Sequence, residues 1–372
     1  MDFTYSDEQQ ALSELARSIF KDHVTPERQR ALEQSGEWFD DVVWGKLAEA
    51  SLLGIAVPEE FGGSGLGLIE LGLLLEEVGR AVAPVPVFAS TVLGALPLVA
   101  FGTAAQKKQW LPRIVSGEAV LTAALAELDG RDPLSPTTIA TREGSGWRLS
   151  GTKICVSAGE RATAILVPAT LAEGGVGVFL VDPTAPGVTR ERQIATNNEP
   201  HARITLDGAV VAEGEAIGVP GEEGQRVLAW LLERARAGYC AQQFGVCDRA
   251  LRLTAEYTTE RKQFDRPIAT FQAVQQRAAD AFIDLEAMRL SMQEALFLLE
   301  RDGAAERAVI VAKFWASEGG QHVAVAAQHL HGGIGVDIDY PLHRYFLWSK
   351  HIELMLGSAS EQLARLGAAL AS

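Results

Sequence analysis

The sequence predicts an α+β protein that is mostly α: a helical N-terminal domain, a middle antiparallel β domain and a C-terminal four-helix bundle. Three observations support this. Apolar residues recur with helical periodicity up to about residue 118. Short segments rich in Val, Ile and Thr follow. Long Ala- and Leu-rich segments return after Pro220. We therefore expect domains at 1–118, 119–220 and 221–372.

The N-terminal segment carries helix start signals and amphipathic periodicity. Ser6 and Gln9 have the spacing of a capping box, in which each side chain bonds the other residue's backbone N–H. We expect a second helix through Val42, Val43 and Leu47 that ends near Pro58, and a third, buried on most sides, over 69–78. The first helix should bury one apolar stripe, formed by Leu12, Leu15, Ala16, Ile19 and Phe20.

The stretch between Arg80 and Lys107 contains no charged residue and is long enough to span a bilayer. Prolines at 84, 86 and 97 interrupt it, and a proline inside a helix removes a hydrogen bond and clashes with the preceding turn. We therefore predict a core helix with Pro-marked ends and no membrane segment. The N-terminus also lacks the basic start and apolar core of a signal peptide.

The middle and C-terminal segments differ in period. Four short Val- and Thr-rich runs separated by Gly, Pro and Asp predict an antiparallel sandwich or barrel. Beyond them, long helical segments near 222–257, 270–300, 304–330 and 344–370 have short connections. That arrangement is typical of an antiparallel bundle.

Composition excludes some classes of protein. With 33 basic and 48 acidic residues the net charge is −15, which argues against a nucleic-acid binder, because phosphate binding needs a basic face. Its three cysteines, Cys155, Cys240 and Cys247, form no CxxC pair and no disulfide framework. This pattern indicates a reducing compartment, and we expect a cytoplasmic protein.

Two patterns that look chemical are better explained by structure. GWRLSGTK (146–153) approaches the phosphate-loop pattern, but it lies between strands with no helix after it, so we interpret it as a hairpin. His329 and His331 adjoin a Gly-rich turn, yet no carboxylate or cysteine set completes a ligand sphere, and we expect no metal site.

Two C-terminal segments leave structure and ligand binding equally open. Three cations lie within six residues at a helix end: Arg261, Lys262 and Arg266. Cations at that position either interact favourably with the helix dipole or bind a phosphate. In HGGIG (331–335), three glycines within four residues allow another backbone or a ligand to approach closely.

The order of these motifs resembles that of the acyl-CoA dehydrogenase family over nearly the whole chain: PEEFGGSGLG at 58–67, the β insert, RKQFDRPI with Gln272, and HGGIG followed by HRYF at 343–346. The resemblance implies the three-part fold, and FAD bound between subunits. It also implies α,β-desaturation of an acyl-CoA, in which a glutamate removes the α-proton and the β-hydrogen leaves as hydride to the flavin.

The resemblance also implies roles for individual residues. Arg261 would meet the FAD pyrophosphate, and Arg236 matches an arginine near the reacting end of the substrate. His329 stands where the family usually has glutamine, next to the dinucleotide. The remaining cofactor-binding positions would line the adenosine side or let the dinucleotide pass close to backbone: Gln263, Phe264, Gln272, Gly332, Gly333 and Gly335.

The chain departs from the family at both known positions of the base. The family's Tyr-Glu-Gly-Thr segment reads Met355–Leu356–Gly357–Ser358 here, and leucine cannot accept a proton. The alternative position, just before Arg236, holds Ala235. Glu233 lies two residues earlier, roughly 200° around the helix, and should point elsewhere.

The flavin-facing segments depart as well. The family's Thr-Glu-Pro-Gly-Ala-Gly-Ser-Asp loop reads Ala-Glu-Leu-Asp-Gly-Arg-Asp at 126–132, and its Trp-Ile-Thr strand reads Cys155–Val156–Ser157. The chain therefore resembles a protein that has lost its own flavin-ring face and keeps the half that reaches a neighbour's FAD.

The leading hypothesis is a base-lacking partner subunit that completes the FAD site of a homologous catalytic subunit. Its C-terminal run is similar to such chains in the α2β2 acyl-CoA dehydrogenases of actinobacterial steroid side-chain catabolism. The substrate would be an acyl-CoA, with a steroid-CoA as the specific candidate, and an electron-transferring flavoprotein would be the acceptor by analogy. Two alternatives stay open: a self-sufficient enzyme whose base is Glu353, Glu361 or Glu233, and a flavin-free scaffold or acyl-CoA-binding subunit.

Overall fold

A computed structural model of the chain describes residues 3–128, 132–301 and 303–371, and it has the predicted order of helices, strands and helices. Residues 129–131 of the substituted flavin-facing loop lie outside the described residues. The helices before the sheet are α1 (Asp7–His23), α2 (Pro26–Ser35), α3 (Asp41–Glu49), α4 (Leu68–Ala81), α5 (Leu96–Phe101) and α6 (Ala104–Val115). The strands of the sheet are β1 (Leu121–Ala123), β2 (Ile139–Glu143), β3 (Gly146–Ser157), β4 (Ala164–Leu171), β5 (Val176–Val181), β6 (Val188–Ile194) and β7 (Pro200–Ala212). After them come α7 (Glu222–Glu260), β8 (Lys262–Gln263), β9 (Arg266–Pro267), α8 (Gln272–Glu300), α9 (Glu306–His331), α10 (Leu342–Leu354) and α11 (Ala359–Ala371).

The N-terminal start signals are confirmed. The Ser6 hydroxyl accepts from the Gln9 backbone N–H at 3.2 Å, and the Gln9 side chain accepts from the Ser6 N–H at 3.0 Å. Ala16 and Phe20 of the predicted stripe are buried. The second helix is shorter than predicted: α3 ends at Glu49, and a residue in the left-handed region, Ser51, precedes the short 3₁₀ turns that replace its last part.

The charge-free stretch is a core segment, as predicted. It contains a fully buried π-helical turn at Phe88–Ala95 and then α5, which has Pro97 in its first turn. Gly94 permits close packing against β1, since a Cβ there would lie 2.6 Å from that of Leu121. Among the described residues, no helix combines the length and apolar character that a membrane span requires.

The sheet has the order β1-β4-β2-β3-β7-β6, with β5 paired to β4. Most pairings are antiparallel, as predicted, but β4 runs parallel to both β1 and β2. Side chains alternate between the two faces of a strand whether its neighbour runs parallel or antiparallel. The sequence pattern therefore could not reveal these parallel pairs. GWRLSGTK lies within β3, which forms a hairpin with β2 as predicted. Buried side chains such as Trp147 and Phe179 form the core of the sheet.

The chain divides into two compact units. Unit I comprises the residues up to 31, then 68–83, and those from 236 onward; unit II comprises 32–67 and 84–235. In unit I, α4 and α7 approach each other backbone to backbone. A Cβ at Gly79 would lie 2.0 Å from the Gln242 carbonyl oxygen, and one at Gly245 would lie 1.9 Å from that of Glu76. Only glycine permits this approach.

The last predicted helix, over 344–370, is two helices. α10 ends at Leu354 and α11 begins at Ala359. Between them Leu356 has φ +56° and Gly357 has φ +109°, both outside the helical region. The break falls on 355–358, the segment that the motif comparison aligns with the family's base segment, and it gives 355–358 an irregular backbone that a continuous helix would not have.

Candidate functional site

The segment Met355–Ser358 is anchored within unit I through its backbone. The Leu356 carbonyl oxygen accepts from Arg236 Nε at 3.4 Å and from Gln362 Nε2 at 3.2 Å. Arg236 is itself buried on α7. The structure thus brings Arg236 to the segment in which the sequence places Leu356, whereas Ala235 is a fully buried apolar residue of unit II.

Lys313 on α9, which was not among the predicted site residues, also anchors this segment. Its fully buried ammonium donates to the Ser317 hydroxyl at 2.7 Å and to three backbone carbonyls at the end of α10 and beyond it: Ile352 at 3.2 Å, Glu353 at 3.1 Å and Gly357 at 3.1 Å. A cation at a helix C-terminus is stabilised by the helix dipole. Burial nevertheless lowers the pKa of Lys313 to about 8. A lone lysine within the apolar run AVIVAKFWA was the available signal.

The three carboxylates considered as displaced bases all have partners. Glu353 lies 2.7 Å from Lys350 Nζ, and Glu233 lies 3.8 Å from Arg234 Nη1. Glu361 accepts from the Ser358 backbone N–H at 2.7 Å and from its hydroxyl at 2.9 Å, and these bonds lower the pKa of Glu361. A general base at neutral pH needs the opposite shift, so Glu361 is poorly suited to the role.

The cation-rich segment after α7 is a small exposed hairpin of β8 and β9. Arg261, Gln263 and Gln272 are exposed, and the Ile268 N–H donates to the Arg261 carbonyl at 2.8 Å. At the turn, Phe264 has φ +52° and is 87% exposed. An exposed phenyl ring next to several cationic residues is typical of a surface that contacts another molecule and is not expected in a core.

The Gly-rich turn begins at the end of α9 with an open backbone. Gly332 has φ +64° and ψ −140°, a conformation that essentially only glycine adopts. Gly332 and Gly333 are both exposed, and a Cβ at either position would meet nothing within 4 Å. Gly335 is instead buried, where a Cβ would lie 3.2 Å from Gln328 Oε1. The first two glycines therefore leave backbone accessible to a close neighbour.

The two histidines before this turn have different environments. His331 is buried, with Nδ1 at 2.8 Å from the Ala327 carbonyl and Nε2 at 3.1 Å from the Tyr340 hydroxyl. Its ring stacks on Tyr257 at a centroid distance of 4.4 Å, and burial lowers the pKa of His331. His331 is thus a structural residue of the turn, whereas His329 is exposed.

In unit II, polar groups of the strand that matches the family's flavin contact are hydrogen-bonded to other residues of the same chain. The Ser157 hydroxyl donates to Glu199 Oε1 at 2.6 Å. His201 is buried, with Nε2 at 3.6 Å from the same oxygen. Cys155 lies in an irregularity of the β3–β7 pairing with φ +51°, and its N–H donates to Gln193 Oε1 at 2.8 Å.

The Glu199–His201 pair was not predicted from the sequence, where the available signal was the run NNEPH (197–201), which leads into β7. Although burial opposes the charged form, the Glu199 carboxylate and a hydrogen bond with Cys155 raise the pKa of His201 to about 9. His201 is therefore an imidazolium at neutral pH. Its charge stabilises a Glu199 carboxylate next to Ser157.

Glu127, at the start of the substituted loop, serves as an anchor. Its carboxylate accepts from Lys153 Nζ at 2.6 Å, and from the N–H of Thr138 at 2.9 Å and its hydroxyl at 2.6 Å. Although burial opposes ionisation, the Lys153 ammonium lowers the pKa of Glu127 to about 2. A carboxylate held in this way is ionised and hydrogen-bonded at neutral pH.

Comparison with known proteins places this geometry in context. Profiles of the N-terminal, middle and C-terminal domains of acyl-CoA dehydrogenase match residues 6–118, 122–209 and 222–371. The chain is 40% identical to acyl-CoA dehydrogenase FadE27 of Mycobacterium tuberculosis, over 100% of this chain and 99% of that protein.

Solved structures show the same likeness. A chain of the ChsE4-ChsE5 complex from Mycobacterium tuberculosis matches with a TM-score of 0.94 and 40% identity, covering 100% of this chain and 99% of that one. A chain of the steroid ACAD Tcur3481-Tcur3483, in a variant form, matches with a TM-score of 0.92 and 47% identity, covering 98% of both. The predicted three-part fold is confirmed.

Proposed function

Since the chain belongs to the acyl-CoA dehydrogenase family, whose members are FAD-dependent oxidoreductases, we propose that it is the non-catalytic partner subunit of a heterotetramer. In that assembly a homologous catalytic subunit removes the α-proton of an acyl-CoA, and this chain completes the FAD site of that subunit. The observation that carries the proposal is Leu356 at the position of the base.

The geometry of unit I supports a site in which the backbone contacts around 355–358 are present but the carboxylate base is not. Arg236 still bonds the backbone of the 355–358 segment, and Lys313 still holds the end of α10. The side chain at the centre of that segment is nevertheless a leucine. Without a carboxylate at the α-carbon of the substrate, no group takes the proton, and desaturation does not begin.

The residues that would bind the adenosine and pyrophosphate half of FAD fit that role. The exposed glycines Gly332 and Gly333 can admit a dinucleotide close to backbone, Arg261 can pair with a phosphate, and Phe264, Gln263 and Gln272 can line an adenosine. When bound, FAD supplies the hydride acceptor of the reaction. His329, exposed at the end of α9, stands beside this surface.

The flavin-ring half fits poorly. The Ser157 hydroxyl, which the family motif offers to the ring, is already donated to Glu199. The Trp position of that motif holds Cys155 in a left-handed conformation. A hydroxyl committed to a carboxylate cannot donate to another acceptor as well, because it has a single hydrogen. We therefore assign one FAD site to each pair of subunits, with its ring against the partner.

The class of substrate follows from the family, and the specific substrate that we propose follows from the similarity to two solved structures. The reaction is the desaturation of an acyl-CoA, with an electron-transferring flavoprotein as the acceptor. Two structural relatives are a steroid ACAD and the ChsE4-ChsE5 complex, which together favour a steroid-CoA substrate and a heteromeric assembly.

Native mass spectrometry of this chain, co-expressed with a candidate catalytic subunit from its genomic neighbourhood, tests the proposal. We expect two copies of each chain with two FAD. A homotetramer of this chain alone with four FAD would contradict it and favour a displaced base. In that case Gln substitutions of Glu353, Glu361 and Glu233 would identify the base by loss of turnover. A mixed tetramer without FAD would instead favour the scaffold hypothesis.

A further inference from the structure

A cavity of about 660 Å³ lies within unit I, and none of the predicted site residues lines it. Its walls come from α1 and α2, the end of α4, the middle of α7 and the start of α10. One carboxylate, Glu77, lines it. Six cationic residues line it as well: Arg17, Lys21, Arg80, Arg249, Arg252 and Arg344. Such a concentration is unexpected in a chain of net charge −15.

Buried carboxylates hold these guanidinium groups in place. Glu77 accepts from Arg17 Nη2 at 2.7 Å and from Arg80 Nε at 3.1 Å. Asp248 pairs with Arg80 and accepts from Arg252 Nε at 2.9 Å. Each guanidinium carries five N–H donors, so these bonds orient the groups and leave further donors for a ligand.

Among the described residues that line the cavity, the six cations outnumber the one carboxylate, Glu77. Arg249 also pairs with Glu256, outside the lining, at 3.0 Å. Glu76, behind Glu77, is largely uncharged at neutral pH, because burial raises its pKa to about 8. The side chains that line the cavity therefore carry more positive than negative charge, and their partial burial weakens screening of that charge by salt.

The remaining polar groups of the wall do not repel an anion. Gln29 Nε2 donates to the carbonyl oxygens of Ala81 at 3.4 Å and Val82 at 3.1 Å, at the end of α4. The Tyr345 hydroxyl donates to the Arg80 carbonyl at 3.0 Å, and burial raises the pKa of Tyr345 to about 12, so the phenol stays neutral. The carbonyls of Arg80, Ala81 and Val82 at the end of α4 thus already accept hydrogen bonds from the protein.

We propose that this cavity binds a small molecule carrying a diphosphate group. Planar guanidinium forks match the geometry of phosphate oxygens, and several of them converge here on a volume that suits a small ligand. The diphosphate can be free inorganic pyrophosphate or part of a nucleotide, and both present the same oxygens to the arginines. Its lining shares no residue with the surface assigned to FAD, and the proposal does not depend on the proposed function.

Isothermal titration of the assembled protein with inorganic pyrophosphate, and separately with adenosine diphosphate, tests the proposal at low ionic strength. The test variant is Arg249→Gln/Arg252→Gln, and we expect it to weaken binding at least tenfold. Tighter binding of adenosine diphosphate would identify the ligand as a nucleotide, and equal or tighter binding of pyrophosphate would identify the free anion.

Two controls locate the binding. Arg226→Gln is matched to Arg252→Gln: both side chains are 67% exposed, both lie on α7, and each pairs with a carboxylate about one turn earlier. Arg261→Gln tests the hairpin after α7. Binding unchanged in the double variant, or lost in either control, would overturn the proposal. If the double variant does not fold, Arg252→Gln alone serves, because its exposed side chain contributes little to the core.

Discussion

Arg236 Nε lies 3.4 Å from the backbone carbonyl oxygen of Leu356, the residue that we propose stands at the family's base position. The contact is to the backbone, so it is compatible with any side chain at position 356. Leu356 has a left-handed φ of +56°, which is unfavourable for leucine. We therefore attribute this conformation to the surrounding segment and not to the leucine side chain. The backbone of this segment is thus held in place by contacts that do not involve the side chain of Leu356, which cannot accept a proton.

Restoring a carboxylate at this position should not restore a second active site. In the co-expressed assembly, Leu356→Glu is expected to leave turnover and the two FAD per tetramer unchanged, since the Ser157 hydroxyl remains committed to Glu199. FAD absorbance per tetramer and steady-state turnover measure this. Leu354→Glu, at an exposed position on α10, is the control. Two additional FAD, or a gain in turnover in Leu356→Glu alone, would contradict the proposed division of the site.

Removing the cation of the hairpin after α7 should release FAD. Arg261→Gln is expected to lower the FAD retained by the assembly at least tenfold at limiting cofactor, because a charge-assisted contact to a phosphate is lost. Fluorescence titration of the apo-assembly with FAD measures the change. Arg277→Gln, an exposed arginine on α8, should bind FAD like the wild type. Equal affinities for wild type and Arg261→Gln would remove this residue from the cofactor surface.

Breaking the Glu127–Lys153 pair should destabilise the protein. Glu127→Gln leaves the buried Lys153 ammonium without its counter-charge, and we expect a loss of about 3–5 kcal/mol in the free energy of unfolding by urea. Glu143→Gln, which breaks the exposed pair with Arg148, should cost no more than about 1 kcal/mol.

The same pair predicts a pH dependence. The folded-state pKa of Glu127 is lowered to about 2, below the value in the unfolded chain. Its stabilisation is therefore complete above about pH 4.5 and is lost as the pH falls towards 2. Acid titrations of stability should show this loss in the wild type and not in Glu127→Gln; identical acid profiles would show that the pair contributes nothing.

His201 predicts the opposite dependence, at alkaline pH. Its folded-state pKa is raised to about 9, so its stabilisation is complete below about pH 6.5 and is lost as the pH rises through 9. The expected loss is on the order of 3 kcal/mol. His201→Gln should flatten the stability profile between pH 6.5 and 9, whereas His322→Gln, at an exposed position, should not. An ordinary pKa for His201, measured by NMR, would refute the prediction.

Local patterns accounted for much of this protein. The capping box at Ser6 and Gln9 depends on residues three apart, and hydrophobic periodicity depends on neighbours within a few turns, so both could be predicted from the sequence. The same holds for the missing base, because whether a residue can accept a proton depends on its side chain alone. Leu356 excludes that chemistry wherever the chain places it.

Contacts between distant residues were decided by the tertiary structure. At the break between α10 and α11, Lys313, some forty positions away, binds the carbonyl of Ile352 in α10 and that of Gly357 within the break. The Ser157 hydroxyl meets Glu199 only because β3 and β7 pair across the sheet. The parallel pairing of β4 has the same origin. Such arrangements are determined by the burial of charges and by strand pairing, which depend on the whole fold, whereas side-chain chemistry and local periodicity are properties of the sequence itself.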